Sequence, residues 1–429
     1  MDSRYFDPIE TAPRSEIERI QQQRLIEQVQ HAYARSPLVR REWDKVGLKP
    51  EHIRSVGDFK RLAPFIEKAT IQNFRAETGD PMGGVLAGDP SEVTLYGTSS
   101  GTTGDPTMFA ESWTARGEMV FTPREIWESG LRPGDFLIDV QMVIRSVGRL
   151  YFLDLGATPI FFHHDASDVP RLIAACLKYR PTWMFHISSP LIYALEQYEA
   201  ETKADLRDVF SSFKGVIYGG EPMGRHNRAL MERWGVPVFE FTSLGDCGTG
   251  WECQAKDGFH AWEDLVVFEV VDPETGEAVP SGGRGEMVCT ALVDKVDPLI
   301  RFRSGDLVRW TDEQCACGRT HARYWPLGRA GDELLVNGRS VMPTDIWNAV
   351  ESVAETASGL FQIIRPQREV SELKLRVGYD GAPDMEDLKR RLIDAVEKAT
   401  GLRPSIELMP NTEIVKFGPP HKIPRTAKQ

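Results

Sequence analysis

Between residues 136 and 241 the chain repeats one pattern, a short apolar run rich in β-branched and aromatic residues followed by a stretch with helical periodicity. The runs are FLIDV at 136–140, TPIFFHH at 158–164, TWMFHI at 182–187, GVIYGG at 215–220 and PVFEF at 237–241. Short apolar runs without polar alternation suit strands covered on both faces, and the stretches between them suit crossover helices. Among those stretches are PLIYALEQYEAET and HNRALMERW, the latter followed by Gly235, a residue suited to closing a helix. The pattern predicts an α/β fold built on parallel sheet.

The flanks differ in character. The first 75 residues read as a helical lead-in, with Ile26, Val29 and Tyr33 on one face and Pro37 ending the segment. Across 262–310, DPETGEAVPSGGRGE places turn residues between strand-like runs, which predicts antiparallel hairpins. In the last hundred residues LFQIIRP, ELKLRVGYD, DMEDLKRRLIDAVEKATG and SIELMP read as a small α+β unit of their own. No internal repeat or low-complexity segment interrupts this order.

Composition narrows the function classes. At 429 residues and 41% hydrophobic content there is material for one large domain and a smaller one. A net charge of −12 with no Lys/Arg-rich run argues against nucleic acid and anionic membranes as partners. The opening MDSRYFDPIE is acidic where a signal peptide is basic and then apolar, and no apolar stretch approaches the roughly 18 residues of a membrane span. A cytoplasmic location is the expectation. Six cysteines at irregular spacing do not make a disulfide framework, so they are free, buried or metal-bound.

The densest chemical signal is YGTSSGTTGDPTMF at 96–109. Gly97, Gly101 and Gly104 permit close backbone approach, and Thr98, Ser99, Ser100, Thr102 and Thr103 add hydroxyl donors to the loop amides. That is a cradle for phosphate oxygens. No Gly-Lys-Ser/Thr closes it, so it is not the P-loop of NTPases.

This run is similar to the first motif of adenylate-forming enzymes, and the resemblance continues along the chain. GGEPM at 219–223, PLIRFRSGDLVRW at 298–310, CACGRTHAR at 315–323 and GRAGDELLVNGRSVMP at 328–343 follow in the order found in phenylacetate-CoA ligases. The N-terminal stretches FDPIETAPRSEIERIQQQRL and ARSPLVRREWDKVGLKPEHIRSVGDFKRLAPFIEK resemble the same family. The resemblance implies a large N-terminal domain, 1–327, a hinge at 328–331 and a small mobile α+β C-terminal domain, 332–429. It implies ATP-dependent activation of a carboxylate as acyl-adenylate, with Mg²⁺, and transfer to coenzyme A. Cytoplasmic homodimers are a further family expectation.

It also assigns residues. Asp306 stands where the family's aspartate accepts hydrogen bonds from both ribose hydroxyls, a task for an acceptor-only group. Arg329 is similar to the arginine beside the ribose and phosphate. Gly219, Gly220 and Glu221 resemble the strand-end loop lining the adenine, at the carboxyl end of GVIYGG where open α/β sheets bind ligands. In HKIPR, Lys422 matches the lysine that neutralises charge developing on the α-phosphate and carboxylate; Lys416 and Lys428 are the alternatives. Gly331 occupies the hinge.

Two positions depart from the family. The lysine that closes the phosphate loop is Asp105 here, and the Tyr-Gly-x-Ser/Thr-Glu segment is replaced by FTSLGDCGTG, which includes Thr242. Asp246 then takes the place of the magnesium-holding glutamate, or, in the other alignment, Ser243 does; carboxylate chemistry favours Asp246. These changes keep open an adenylate-forming enzyme that serves an amine, another nitrogen nucleophile or a carrier protein, and a nucleotide-binding protein without catalysis.

Cys253, His260, Cys315 and Cys317 form a donor set of three thiolates and an imidazole, sufficient for closed tetrahedral zinc of structural type. Relatives keep both halves of it. Cys176 and Cys289 fall in apolar elements and are predicted to be core, and Cys247 adjoins Asp246. The stretch 140–157 corresponds to the family's aryl pocket with most glycines lost, and it carries Arg145 and Arg149. Family habit points to an aromatic or heteroaromatic acid.

Overall fold

The computed structural model describes residues 4–98, 108–112, 123–141, 149–163, 166–219, 221–330, 334–367, 369–417 and 425–427. The chain divides into two compact units, each assembled from three stretches. The first takes Met1–Pro133, Val143–Ala157 and Glu240–Gly328, and the second takes Gly134–Met142, Thr158–Phe239 and Arg329–Gln429.

In the first unit the lead-in is helical, as expected, with helices Arg14–Arg35, Pro37–Lys45, Val56–Leu62 and Lys68–Thr78. The long helix buries Ile17, Gln21, Leu25, Gln28, Val29 and Ala32, so its inner face is centred on Leu25 and Val29 and leaves Ile26 and Tyr33 at the flanks. Polar residues enter that face because Gln21 Nε2 donates to the carbonyls of Glu263 at 2.9 Å and Val266 at 3.0 Å. Pro37 does not simply end the segment. It opens the next helix at its first turn, where its missing N–H costs nothing, and Ser36 caps that turn. The expected hairpins are the antiparallel strands Val266–Val271, Arg284–Ala291 and Phe302–Thr311, paired in register from Val266↔Ala291 and Arg284↔Arg309. Helices and strands close over one apolar core that includes Leu25, Trp43, Val267, Ile300 and Tyr324. Each such side chain, fully buried, contributes about 1.5–3 kcal/mol.

In the second unit four of the five apolar runs form a parallel sheet in the order Gly215–Gly219, Trp183–Ile187, Phe136–Gln141, Thr158–His163. Helices Val169–Tyr179 and Ser189–Thr202 cover it, burying Leu172, Cys176, Leu191, Ile192 and Leu195 against Met184, Ile187 and Val216. The fifth run, Val238–Ser243, leads out of this unit into the first.

The C-terminal stretch supplies a sheet in the order Ser405–Pro410, Lys374–Tyr379, Phe361–Ile364, Thr426–Ala427, beside the helix Met385–Thr400. That helix starts where Asp384 accepts the amides of Glu386 and Asp387, and stops where Gly401 turns left-handed at φ 69°. Its buried residues Leu388, Leu392 and Val396 recur every four positions on one face. Among the described residues no helix is long and apolar enough to cross a membrane.

Candidate active site and metal centre

In the first unit, strands Leu95–Thr98 and Met108–Glu111 pair antiparallel, with Thr98 opposite Met108, and so bring together the two ends of the phosphate-loop segment. Ser99, Ser100, Gly101, Thr102, Thr103, Gly104 and Asp105 lie outside the described residues, as does the Thr98 side chain. The hairpin is held from beneath by Asp297, whose carboxyl accepts the Ala110 N–H at 3.0 Å. Burial, reinforced by Asp294, pushes that carboxyl up to about 8.

Asp306 lies half-buried on the strand Phe302–Thr311. Its amide donates to Ser304 Oγ at 3.0 Å, and Ser304 Oγ in turn donates to the Met287 carbonyl at 3.0 Å, fixing the backbone on both sides of the flexible Gly305. Thr242 and Ser243 end the strand Val238–Ser243, and Asp246 projects from the turn that follows. The two candidate magnesium positions are therefore neighbours: the Asp246 amide donates to Ser243 Oγ at 3.1 Å, and both residues are exposed. The turn packs on the sheet through Gly245, where a Cβ would stand 3.0 Å from Cys289 Sγ and 3.4 Å from Ser304 Cβ. Tyr324 adds a second tie, its hydroxyl donating to the Ser243 carbonyl at 3.0 Å. The Asp246 turn is thus packed, through Gly245, on the strand that carries Asp306. Gly245 and Tyr324 escape motif reasoning because their role lies in long-range packing.

Cys247 and Cys289 are core, with the Cys247 thiol pushed well up by burial and by its hydrogen bond with Cys289. Of the pocket stretch, Arg145 lies outside the described residues and Arg149 opens the helix Arg149–Asp154.

The four expected zinc donors meet. Cys253 follows the strand Thr249–Glu252, His260 lies on Phe259–His260 paired to it, and Phe259–His260 pairs on its other side with Arg323–Arg329, which follows the CACG knuckle. Sheet pairing therefore closes the sequence gap between the halves. All four side chains are buried, with ligand atoms within 4.8 Å of one another. Cys253 Sγ lies 3.7 Å from Cys315 Sγ, and Cys317 Sγ lies 3.4 Å from His260 Nε2. Donors on a tetrahedron at about 2.3 Å from a metal lie about 3.7 Å apart, so the donor set fits zinc with no open position. Backbone amides support the sulfurs: Cys317 N–H points to Cys315 Sγ and Arg319 N–H to Cys317 Sγ, each at 3.5 Å. The Cys317 thiol is pulled down by its hydrogen bond with Cys253 and by His260, while that of Cys253 is pushed up.

Behind the knuckle, Arg319 is buried between Glu10 at 2.8 Å and Glu128 at 2.7 Å, and the Tyr5 hydroxyl donates to the Cys317 carbonyl at 2.6 Å. The N-terminal segment is pinned to the Cys/His cluster, which its sequence does not announce.

In the second unit, Gly219 ends the strand Gly215–Gly219 and its carbonyl meets His186 Nε2 at 2.8 Å; Gly220 lies outside the described residues. Glu221 follows, with Tyr218 Oη 3.4 Å from Oε1 and Arg425 Nη2 3.0 Å from Oε2. Arg329 is the last residue of the strand Arg323–Arg329 and is exposed. Gly331, Lys422 and Lys428 lie outside the described residues; Lys416 is exposed and pairs with Glu413 at 2.8 Å.

No family model matches the chain. A phenylacetate-coenzyme A ligase of Thermus thermophilus is 31% identical over 388 residues, covering 87% of this chain and 84% of that one. The crystal structure of 2-hydroxyisobutyryl-CoA ligase in the postadenylation state with R3-HIB-AMP is 27% identical with a TM-score of 0.84, covering 100% of this chain and 93% of that one. The same enzyme with 2-HIB-AMP and CoA in the thioesterification state matches at 27% identity and a TM-score of 0.69, covering 99% and 92%. Fold and likeness together define an AMP-forming acid–CoA ligase, which activates an acid and transfers it to CoA. The chain belongs to the phenylacetate-CoA ligase family.

Proposed function

We propose that this ligase activates an aromatic or heteroaromatic carboxylic acid. A carboxylate oxygen attacks the α-phosphorus of ATP and pyrophosphate leaves; the CoA sulfur then attacks the acyl carbon and AMP leaves. The single observation that carries the assignment of the site is the packing of the Asp246 turn, through Gly245, against the strand of Asp306. It supports the reading in which Asp306 accepts from the ribose hydroxyls and Asp246 holds a hard cation.

The same reading assigns the stretch from Thr98 to Gly104 to the phosphates, Gly219, Gly220 and Glu221 to the adenine, Thr242 to the nucleotide, and Arg329 to ribose and phosphate. Lys422 neutralises the charge developing at the α-phosphate. Magnesium at Asp246 would screen the phosphate charges, and zinc at Cys253, His260, Cys315 and Cys317 would brace the fold without entering the reaction. A functional boundary at 328–331, separating 1–327 from 332–429, and assembly as a homodimer belong to the same reading. The preference for an aromatic acid is supported by the relatives' name, phenylacetate-coenzyme A ligase.

Acid-dependent exchange of labelled pyrophosphate into ATP tests the site. Phenylacetate, benzoate, nicotinate and 2-hydroxyisobutyrate are compared in wild type and in Asp306→Ala. The expected result is exchange with an aryl or heteroaryl acid and its loss by about a hundredfold or more in the variant, the scale of removing a positioning contact from the nucleotide. Exchange that survives in Asp306→Ala would remove Asp306 from the site, and exchange with 2-hydroxyisobutyrate alone would overturn the aromatic preference.

A further inference from the structure

Where the helices Arg14–Arg35 and Pro37–Lys45 meet, a cleft of about 290 Å³ is lined by Arg35, Pro37, Arg40, Arg41 and Asp44. Its three guanidinium groups are held in different ways. Arg35 Nε donates to the Ala87 carbonyl at 3.1 Å. Arg40 reaches back to the end of the long helix, its Nε donating to the Tyr33 carbonyl at 3.1 Å and its Nη2 to that of Ala34. Arg41 lies over the Phe74 ring at 4.3 Å, with Nε on Glu42 at 3.0 Å and Nη1 on Glu77 at 2.7 Å. Among the described residues only Arg41 of the three has a carboxylate at ion-pair distance. Arg35 and Arg40 are held by neutral carbonyls, which leaves both Nη groups of Arg35 and Nη1 of Arg40 without a partner among those residues. Asp44, the one carboxylate of the lining, is already engaged: Lys49 and Tyr33 both donate to its Oδ1, and these bonds hold its carboxyl below the usual range.

A guanidinium with no carboxylate partner offers N–H donors in a planar fork that matches phosphate oxygens. Anchoring the Nε to a fixed carbonyl orients that fork before any ligand arrives, so less freedom is lost on binding. The cleft is close to the roughly 300 Å³ at which small-molecule sites begin. We propose that it binds a phosphate-bearing anion through the Nη groups of Arg35 and Arg40, with Arg41 adding charge from the wall. The cleft uses none of the residues assigned above to the nucleotide and stands independently of that assignment. Two sources can supply such an anion to an AMP-forming acid–CoA ligase: the pyrophosphate released on activation, and the phosphorylated nucleotide end of CoA.

Calorimetry on the full chain, without divalent metal, tests this with inorganic pyrophosphate and adenosine 3′,5′-bisphosphate as probes. Wild type is compared with Arg35→Gln, Arg40→Gln, Asp44→Asn and Asp306→Ala, and thermal melting reports folding. The expected result is binding that weakens by about tenfold or more in each arginine variant, the scale of losing a hydrogen bond to a charged group. Arg35 is exposed, so Arg35→Gln carries the test if Arg40→Gln melts early. Asp44→Asn removes the only negative charge of the lining and should tighten binding by about twofold or more, a gain that partial unfolding does not produce. Asp306→Ala should bind as wild type does. Tighter binding of pyrophosphate makes the released product the ligand, and tighter binding of the bisphosphate makes it the nucleotide end of CoA. Binding of neither probe, equal affinity in wild type and both arginine variants, or a loss confined to Asp306→Ala would overturn the proposal.

Discussion

Gly245 and Cys289 approach so closely that a Cβ on the glycine would stand 3.0 Å from the cysteine sulfur. Gly245 also has φ 58°, where an L side chain is strained regardless of space. The same Cβ would stand 3.4 Å from Ser304 Cβ, two residues before Asp306 on the neighbouring strand, so the Asp246 turn is seated on the sheet.

Gly245→Ala is expected to cost about 1–2 kcal/mol of stability from the left-handed backbone alone. Displacement of the turn should in addition raise KM for MgATP by about threefold or more, with kcat less affected. Gly338→Ala provides the comparison, because Gly338 has φ 76° with nothing within 4 Å of the added Cβ. Denaturant melts and ATP titrations separate the two effects: equal KM values in both variants would show that the turn does not hold the nucleotide.

Removal of the metal should separate stability from chemistry. Purified protein is expected to carry one zinc per chain by mass spectrometry, held by the closed set Cys253, His260, Cys315 and Cys317. Stripping it should lower Tm by about 2–5 °C, equivalent to roughly 2–4 kcal/mol at this size. Pyrophosphate exchange below the new Tm should persist, since no coordination position is left for substrate. Immediate loss of exchange at low temperature would make the metal catalytic.

Asp297 yields a pH dependence of defined sign. Its folded-state carboxyl is raised to about 8 by burial and by Asp294, and its Oδ1 has no partner among the described residues. The folded state therefore holds a proton that the unfolded state has released, and stability falls as pH rises from the ordinary carboxylate range through about 8. Asp297→Asn, close in shape to the protonated acid, should stabilise the protein, by an amount on the order of 1–3 kcal/mol at pH 8 and less at pH 5. Denaturant midpoints at the two pH values check this; an equal gain at both would refute it.

Much of this architecture was legible in local sequence. The strands at 136–241 are short, apolar and bounded by turn residues, so their existence and parallel pairing follow from period and length. The zinc donors could be grouped from residue type because only a few side chains offer that chemistry. What could not be read is long-range: Gly245 against Cys289, Tyr5 and Glu10 against the CACG knuckle, and Glu221 with Arg425 across 204 positions of sequence. Each depends on two elements whose meeting no local pattern records. The inner face of the first helix was shifted for the same reason, since Gln21 and Gln28 are buried by partners at 263–266 and 294.

The most direct measurement is thioester formation by the wild-type protein with ATP, Mg²⁺ and CoA over the same panel of acids, scored for AMP, pyrophosphate and acyl-CoA together. The account predicts AMP, pyrophosphate and acyl-CoA in equal amounts with an aryl or heteroaryl acid, and no AMP without an acid. AMP and pyrophosphate released with no acyl-CoA, or ADP as the product, would contradict it.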